Sequence, residues 1–264
     1  MTTKAPDAKQ PRYAAPALEK GLDILELLAD QPQGLPQVEI ARRLNRTVGE
    51  IFRMLNCLVR RQYVGVESGD RYALTLKLFE LGHRSAPTRQ LAAHAAPVML
   101  RYAEASGQSC HLTVTERGRG VVIAQQDNLG EFGFAVRVGS EMELLSTASG
   151  RVLLAFAPDE ERRQMLSGIQ IDDMEAVRAR LGAIAQRGYE EMESTRVRGV
   201  HDISFPVRDH RAVAVAALTS PFVARLDASE RATLDQARTL LRDAAAELAA
   251  SLGAGAAAGP EAGA

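Results

Sequence analysis

Between Ile40 and Arg61 the chain carries six arginines (42, 43, 46, 53, 60 and 61) and one acid, Glu50. That local excess of guanidinium suits contacts to phosphates and base edges, chemistry that the net charge of −1 hides. A second candidate set is Leu145-Ser146-Thr147-Ala148-Ser149-Gly150-Arg151, where three hydroxyls and small residues precede an apolar run. A helix starting there would aim unpaired N–H groups and its positive dipole end at a carboxylate or other small anion. The plainer alternative is that one hydroxyl only caps the helix. A third set is Gly199-Val200-His201-Asp202-Ile203-Ser204-Phe205-Pro206-Val207. Strand alternation places Asp202 on one face with Val200 and Ser204, either lining a pocket or as an ordinary exposed carboxylate. His201 beside Asp202 and His111 beside Cys110 make no metal-ligand set and read as structural.

The elements that must hold the arginines follow from periodicity. Val48, Ile51, Phe52, Leu55, Leu58 and Val59 recur at helical spacing and form one apolar face. Thr47 with Glu50 three residues on is a capping box that fixes the helix start. The remaining face carries Gly49, Glu50, Arg53, Asn56, Cys57 and Arg60. A shorter helix precedes it, with Pro36 in its first turn, and before that a helix from Ala17 to about Asp30 has Leu18, Leu22, Leu25 and Leu28 as its buried stripe. After Arg61 the period drops to two. Residues 63–66 and 71–75 form a hairpin around Glu67-Ser68-Gly69-Asp70, with Arg71 beside the tip. Three helices and a hairpin make a winged helix-turn-helix.

Residues 76–83 read as a connecting helix, with a break at Ala86-Pro87-Thr88. A helix over 91–105 follows, allowing Pro97 in its first turn. Strands are expected at 110–114, 120–124 and 132–136, with Arg117-Gly118-Arg119-Gly120 a β-turn. Helices follow near 149–157, 159–167 and 173–187, then strands at 201–207 and 212–218 and a helix from Ala228 to Leu252. This is an α+β pattern in two domains: an arm at 1–15, a winged helix-turn-helix at 16–76, a linker helix at 77–91, a mixed α/β domain at 92–252, and a low-complexity tail at 253–264.

Composition narrows the classes. At 264 residues, 46% apolar and 25% charged, the chain can build two globular cores. Tryptophan is absent and aromatics reach 5%, which disfavours carbohydrate platforms and base stacking. Two cysteines, Cys57 and Cys110, make neither a disulfide framework nor a zinc pattern. With no signal-like apolar segment at the N-terminus and no run long enough to span a bilayer, the cytoplasm is the expected location. No nucleophile elbow, phosphate loop or H-E-x-x-H is present, so an enzyme is not expected and no cofactor is implied.

Taken in order, LEKGLDILELLAD, GLPQVEIARRLNRTVGEIFRML, RYALTLKLFELG, STASGRVLLAFAP, RGYEEMESTRVRGVHDISFPVRD and AVAVAALTSP resemble the IclR family of bacterial transcriptional regulators, over about residues 16–252. The resemblance implies a winged helix-turn-helix, a linker helix and a GAF-like effector domain. It implies homodimers or dimers of dimers on palindromic double-stranded DNA operators, and a small organic acid or aromatic catabolite as effector. Matching the family's pocket positions puts Ala148, Ser149, Val200, Asp202, Ala217 and Thr219 around that cavity, with Leu145 an apolar wall. Asp202 stands where some members carry cysteine and Ala217 where some carry serine. A carboxylate there disfavours an adjacent anion, so the effector would offer a hydroxyl or amine at that place. Pro36 replaces a usual hydroxyl cap, and Gly49-Glu50 differ from the more frequent small polar pair. On this reading Arg53 and Asn56 contact bases or phosphates in the major groove. Arg42, Arg43, Arg46 and Arg71 hold phosphates, and Thr47, Gly49 and Glu50 sit at the helix start, Glu50 completing the capping box rather than accepting from a cytosine. The rivals are a ligand-independent DNA-binding protein and an enzyme that uses the winged helix for protein contacts.

Overall fold

The computed structural model describes residues 15–84, 86–130, 133–224 and 231–257, and the chain falls into two compact units, 1–86 and 87–264. The first contains helices α1 (Pro16–Ala29), α2 (Gln37–Arg43), α3 (Val48–Arg60) and α4 (Lys77–Arg84), and strands β1 (Leu35–Pro36), β2 (Val64–Glu67) and β3 (Arg71–Leu74). The hairpin forms in the expected place, with Val64 opposite Leu74 and Glu67 opposite Arg71. An unexpected strand completes a three-stranded sheet in the order β1-β3-β2. Pro36 lies in that strand and is the N-cap of α2, not part of its first turn. At a sheet edge its missing N–H breaks no ladder bond. Gly34 makes this possible: its φ is +62°, and a Cβ would lie 2.6 Å from the Tyr72 carbonyl oxygen.

The core of this unit is Ile24, Leu28, Leu35, Ile40, Ala41, Ile51, Leu55 and Val64. Two stripes are corrected here. Leu18 and Leu22 are 63% and 48% exposed, because only the C-terminal half of α1 is covered by the other elements. On α3, Val48 and Phe52 are 46% and 49% exposed, while Met54 packs on the core. Ile51 and Leu55 set the centre of the buried stripe, and each residue step turns the helix by about 100°, which carries Phe52 to the edge.

In the second unit, strands β4 (Cys110–Glu116), β5 (Arg119–Gln126), β6 (Glu141–Met142), β7 (Glu190–Glu193), β8 (Val200–Arg208) and β9 (Ala214–Val223) form one antiparallel sheet in the order β6-β5-β4-β9-β8-β7. The β4–β5 turn uses positive φ at Arg117 and Gly118, as a tight hairpin turn requires. Helices α5 (Ala86–Ser106) and α9 (Leu234–Ala257) cover one face, with Leu112, Ile203, Phe205, Val207 and Leu218 beneath them. Helices α6 (Ala148–Ala155), α7 (Asp159–Leu166) and α8 (Met174–Arg187) build a second cluster around Leu144, Val152, Leu153, Leu154, Met165, Leu181, Ile184 and Ala217. Gly150 allows α6 to press on the segment before it: a Cβ there would meet the Leu144 Cα at 2.4 Å.

Several boundaries differ from expectation. Pro97 lies inside α5, which starts at Ala86, and both Pro97 and the Ala93 carbonyl that loses its donor lie on the exposed side, where water can compensate. Residues 133–136 form no strand, and Phe132 lies outside the described residues. Strand β7 was invisible because Glu190-Glu191-Met192-Glu193 has no apolar alternation; buried Glu190 is held by Arg187 at 2.7 Å and Arg180 at 3.3 Å. The expected start of the last helix falls in the undescribed 225–230, and α9 runs on through Ala257, into the segment expected to be a tail. The arm at 1–14 and residues 258–264 lie outside the described residues.

The α3 cap sets a stability expectation. Glu50 Oε2 accepts from the Thr47 N–H (3.0 Å) and hydroxyl (2.9 Å), while the Thr47 hydroxyl takes the Glu50 N–H at 3.3 Å. Lys20 reaches across from α1 to Glu50 Oε1 at 2.6 Å. That ammonium first, then the two Thr47 donors, hold the carboxyl at about 2, below its ordinary 4.5. Because the folded-state value is depressed, the stabilisation is complete above 4.5 and drains as pH falls toward 2. Denaturant melts should show this acid limb in the native chain and a shallower one in Glu50→Gln, where Glu39 still titrates low. Thr47→Ala should cost about 1 kcal/mol at neutral pH, and Gly34→Ala at least about as much, from the strained φ and the clash with Tyr72.

Candidate functional sites

On the first unit the capped start of α3 is a rigid platform. Gly49, Arg53, Asn56, Cys57 and Arg60 are exposed on its outer side, with Arg46 exposed just before it. Among the described residues, the side chains of Arg46, Arg53 and Asn56 make no hydrogen bond or ion pair. Their donors remain available to an outside partner.

Other candidates are already engaged. Arg42 grips Glu39 through Nε (2.8 Å) and Nη2 (2.7 Å), and Arg43 Nε reaches the same carboxylate at 2.7 Å. Hydrogen bonds from Arg42 and then Arg43 hold Glu39 at about 2, so two guanidinium groups share one counter-charge. Sequence reasoning missed this because Glu39 lies one residue outside the arginine-rich window, although its i,i+3 and i,i+4 spacing was readable. Arg71 donates to the carbonyls of Gln33 (2.8 Å) and Gly34 (2.6 Å), fastening the wing to the turn before β1. Thr47 and Glu50 satisfy one another in the capping box. Val48 and Phe52 add an apolar margin to the outer face that the sequence had assigned to the core.

On the second unit, strand register explains the other site. In β4, Leu112 faces α5 and α9, so His111 and Thr113 face the opposite side. His111 is opposite Thr219, which is opposite Ser204; Thr113 is opposite Ala217. Asp202 shares this face through its alternation with Ile203. A polar surface therefore lies under α6. Ser204 and Thr219 hydroxyls satisfy each other at 2.8 Å, whereas His111 Nδ1 and Thr113 Oγ1 are buried with no partner among the described residues.

The start of α6 closes over this surface. Thr147 is its N-cap, accepting from the Gly150 N–H at 3.2 Å and donating to the Glu143 carbonyl at 2.6 Å. This leaves the first N–H groups, of Ala148 and Ser149, without an intrahelical acceptor. A cavity of about 60 Å³ lies here, bounded by His111, Ala148, Ser149, Asp202 and Thr219, with Phe134 and Arg196 among its outer walls. Thus Ala148, Ser149, Asp202 and Thr219 come together as expected from sequence. Leu145, Val200 and Ala217 do not line the cavity: Ala217 is packed in the α6 cluster, Val200 is buried opposite Val223, and Leu145 faces a separate surface groove.

The electrostatics favour neutral groups inside. Burial pushes His111 down to about 4, so its imidazole is uncharged at neutral pH. Burial also raises Asp202, opposed by a hydrogen bond from Ser194 and by His201. Arg151 is turned away, donating to the Leu145 carbonyl at 2.7 Å and approaching Glu190 at 3.7 Å. The residue that sequence reading missed is His111, and the signal was its alternation with Leu112. Among the described residues no group of three or more His, Cys, Asp or Glu could hold a metal, and no helix is long and apolar enough to cross a membrane.

Comparisons with known proteins agree with this two-part arrangement. Residues 17–67 match the IclR helix-turn-helix domain, and residues 83–250 match the C-terminal domain of bacterial transcriptional regulator IclR. The chain is 29% identical over 254 residues to the HTH-type transcriptional regulator KdgR of Escherichia coli K12, covering 93% of this chain and 95% of that protein. It is 30% identical over 249 residues to the glycerol operon regulatory protein of Streptomyces griseus, covering 90% and 97%. The crystal structure of Thermotoga maritima IclR superposes with a TM-score of 0.70 at 26% identity, covering 89% of this chain and 98% of that one. An IclR homolog from Microbacterium hydrocarbonoxydans, complexed with 4-hydroxybenzoate, shares the fold with a TM-score of 0.74 at 22% identity, covering 89% and 98%. The chain belongs to the IclR family of bacterial transcriptional regulators.

Proposed function

We propose that this regulator, working in the cytoplasm, holds a palindromic operator with α3 of each subunit, and that a small organic acid in the cavity under α6 changes that hold. The observation that carries the reading is the outer face of α3, where Arg46, Arg53 and Asn56 stand exposed and uncommitted beside a capped helix start. Arg53 and Asn56 reach base edges in the major groove, with Gly49 admitting close approach of the backbone. Arg46 holds phosphate, and Arg42 and Arg43 add to that hold once a phosphate competes with Glu39. Arg71 contributes by fixing the wing. A homodimer, alone or doubled, fits a palindrome. Exposed apolar side chains support it: Leu18 and Leu22 on α1, Leu76 beside α4, and Leu78 and Leu81 on it.

The acid places its carboxylate at the Ala148 and Ser149 N–H groups, with Thr219 and Asp202 across the cavity. Val200 and Ala217 act behind this lining as packing, and Leu145 packs against the α6 cluster at its edge. Modulation requires the effector to bind the DNA-competent and incompetent arrangements with unequal affinity.

A mobility-shift titration on the protein's own upstream region, repeated with a panel of organic acids including 4-hydroxybenzoate, tests the whole reading. Retardation at specific sites that at least one acid shifts is expected; retardation that no acid alters would leave a DNA binder without an effector. Arg46→Ala should weaken binding to all sequences and flatten the salt dependence by about one unit of log K against log salt. Glu39→Gln should do the reverse, steepening the slope, because it releases Arg42 and Arg43; an unchanged slope would show that neither arginine meets phosphate.

A further inference from the structure

We infer that the cavity under α6 is shaped for a short aliphatic hydroxy acid, and that His111 is the residue that reads its hydroxyl. This rests on the effector reading above and narrows it to a chemical class. His111 is 4% exposed and lines the cavity, yet its Nδ1 has no hydrogen-bond partner among the described residues. A buried polar atom without a partner is a standing cost that a ligand can remove. An uncharged imidazole offers one donor and one acceptor, and a hydroxyl is the small group that can answer either. Asp202 in the lining opposes a second carboxylate, and Arg151, committed to Leu145 and Glu190, offers it no charge, which leaves Arg196 as the one lining cation among the described residues.

Size points the same way. The cavity measures about 60 Å³, whereas an engineered cavity that takes up benzene is about 150 Å³. At this size the space admits a few heavy atoms, and an aromatic acid would have to displace its walls or reach out through its mouth. Phe134, Val136 and Met142 supply apolar contact for a short carbon chain. The acid end belongs at the Ala148 and Ser149 N–H groups, which leaves His111, on the sheet, for the hydroxyl.

The test is calorimetric titration of the full chain with matched pairs, lactate against propionate and glycerate against both. For the native protein a hydroxylated acid should bind at least about ten-fold more tightly than propionate, since a site built for a hydroxyl rejects the analogue lacking it. His111→Phe removes both nitrogens and should compress that ratio to about two-fold or less while propionate still binds, and His111→Asn should restore much of it. Thermal melts of each variant report whether the second unit remains folded. Equal affinity for lactate and propionate, or tighter binding of 4-hydroxybenzoate than of either hydroxy acid, overturns the hydroxyl assignment while leaving an acid-binding cavity. An Ala148→Trp plug separates the two readings: acid binding that survives the plug overturns the cavity itself as the effector site. No heat with any acid overturns both.

Discussion

Pairing of charged and polar groups, obligatory for the buried ones and made also by partly exposed ones such as Glu39 and Glu50, organises both units. Glu50 is answered by Lys20 and Thr47, Glu39 by Arg42 and Arg43, Glu190 by Arg180 and Arg187, and the carbonyls of Gln33 and Gly34 by Arg71. Each pairing fixes an element, and each withdraws a group from recognition. The groups left over then become informative: Arg46, Arg53 and Asn56 on the outside, where water satisfies them, and His111 on the inside, where its Nδ1 meets no partner among the described residues.

The division of labour among the arginines follows. Proximity in sequence suggested a single basic patch, but a guanidinium clasped by a carboxylate is a weaker source of binding energy than a solvated one. Contact with phosphate must first exchange one partner for another. The cationic surface is therefore graded, with Arg46 and Arg53 available at once and Arg42 and Arg43 restrained. On the proposed reading, such grading would let backbone attraction orient the helix while base contacts decide where it stays.

In the second unit the sheet has two unlike faces. The side toward α5 and α9 is apolar and closes a conventional core. The opposite side is apolar under the body of α6 but polar under its first turn, where His111, Thr219, Ser204 and Asp202 converge. A helix start laid on a polar patch of sheet cannot pack dry without leaving unsatisfied groups on both surfaces. A small cavity with donors on both walls is the consequence, and Gly150 sets its height by letting α6 sit against Leu144.

Sequence alone determined the elements whose signals are local. The capping box at Thr47 and Glu50, the wing hairpin, the helix after Thr147, the strand with Asp202, the body of β9 as far as Leu218 but not its end at Thr219 and beyond, and the division into two units were legible, because caps, turns and alternation act within a few residues. It missed the elements whose reasons are distant. Strand β1 exists only because Gly34 lets Leu35 lie against Tyr72, and β7, at a sheet edge, only because Arg151 and Arg180, with the nearby Arg187, hold buried Glu190 while Arg238 holds Glu191. Periodicity could say that α3 is amphipathic, but neighbours decided that Met54 turns inward while Phe52 turns outward. Likewise only the β4–β9 register brings His111 to Thr219 and under Ser149, since contact between strands a hundred residues apart is set by tertiary packing, which no local spacing records.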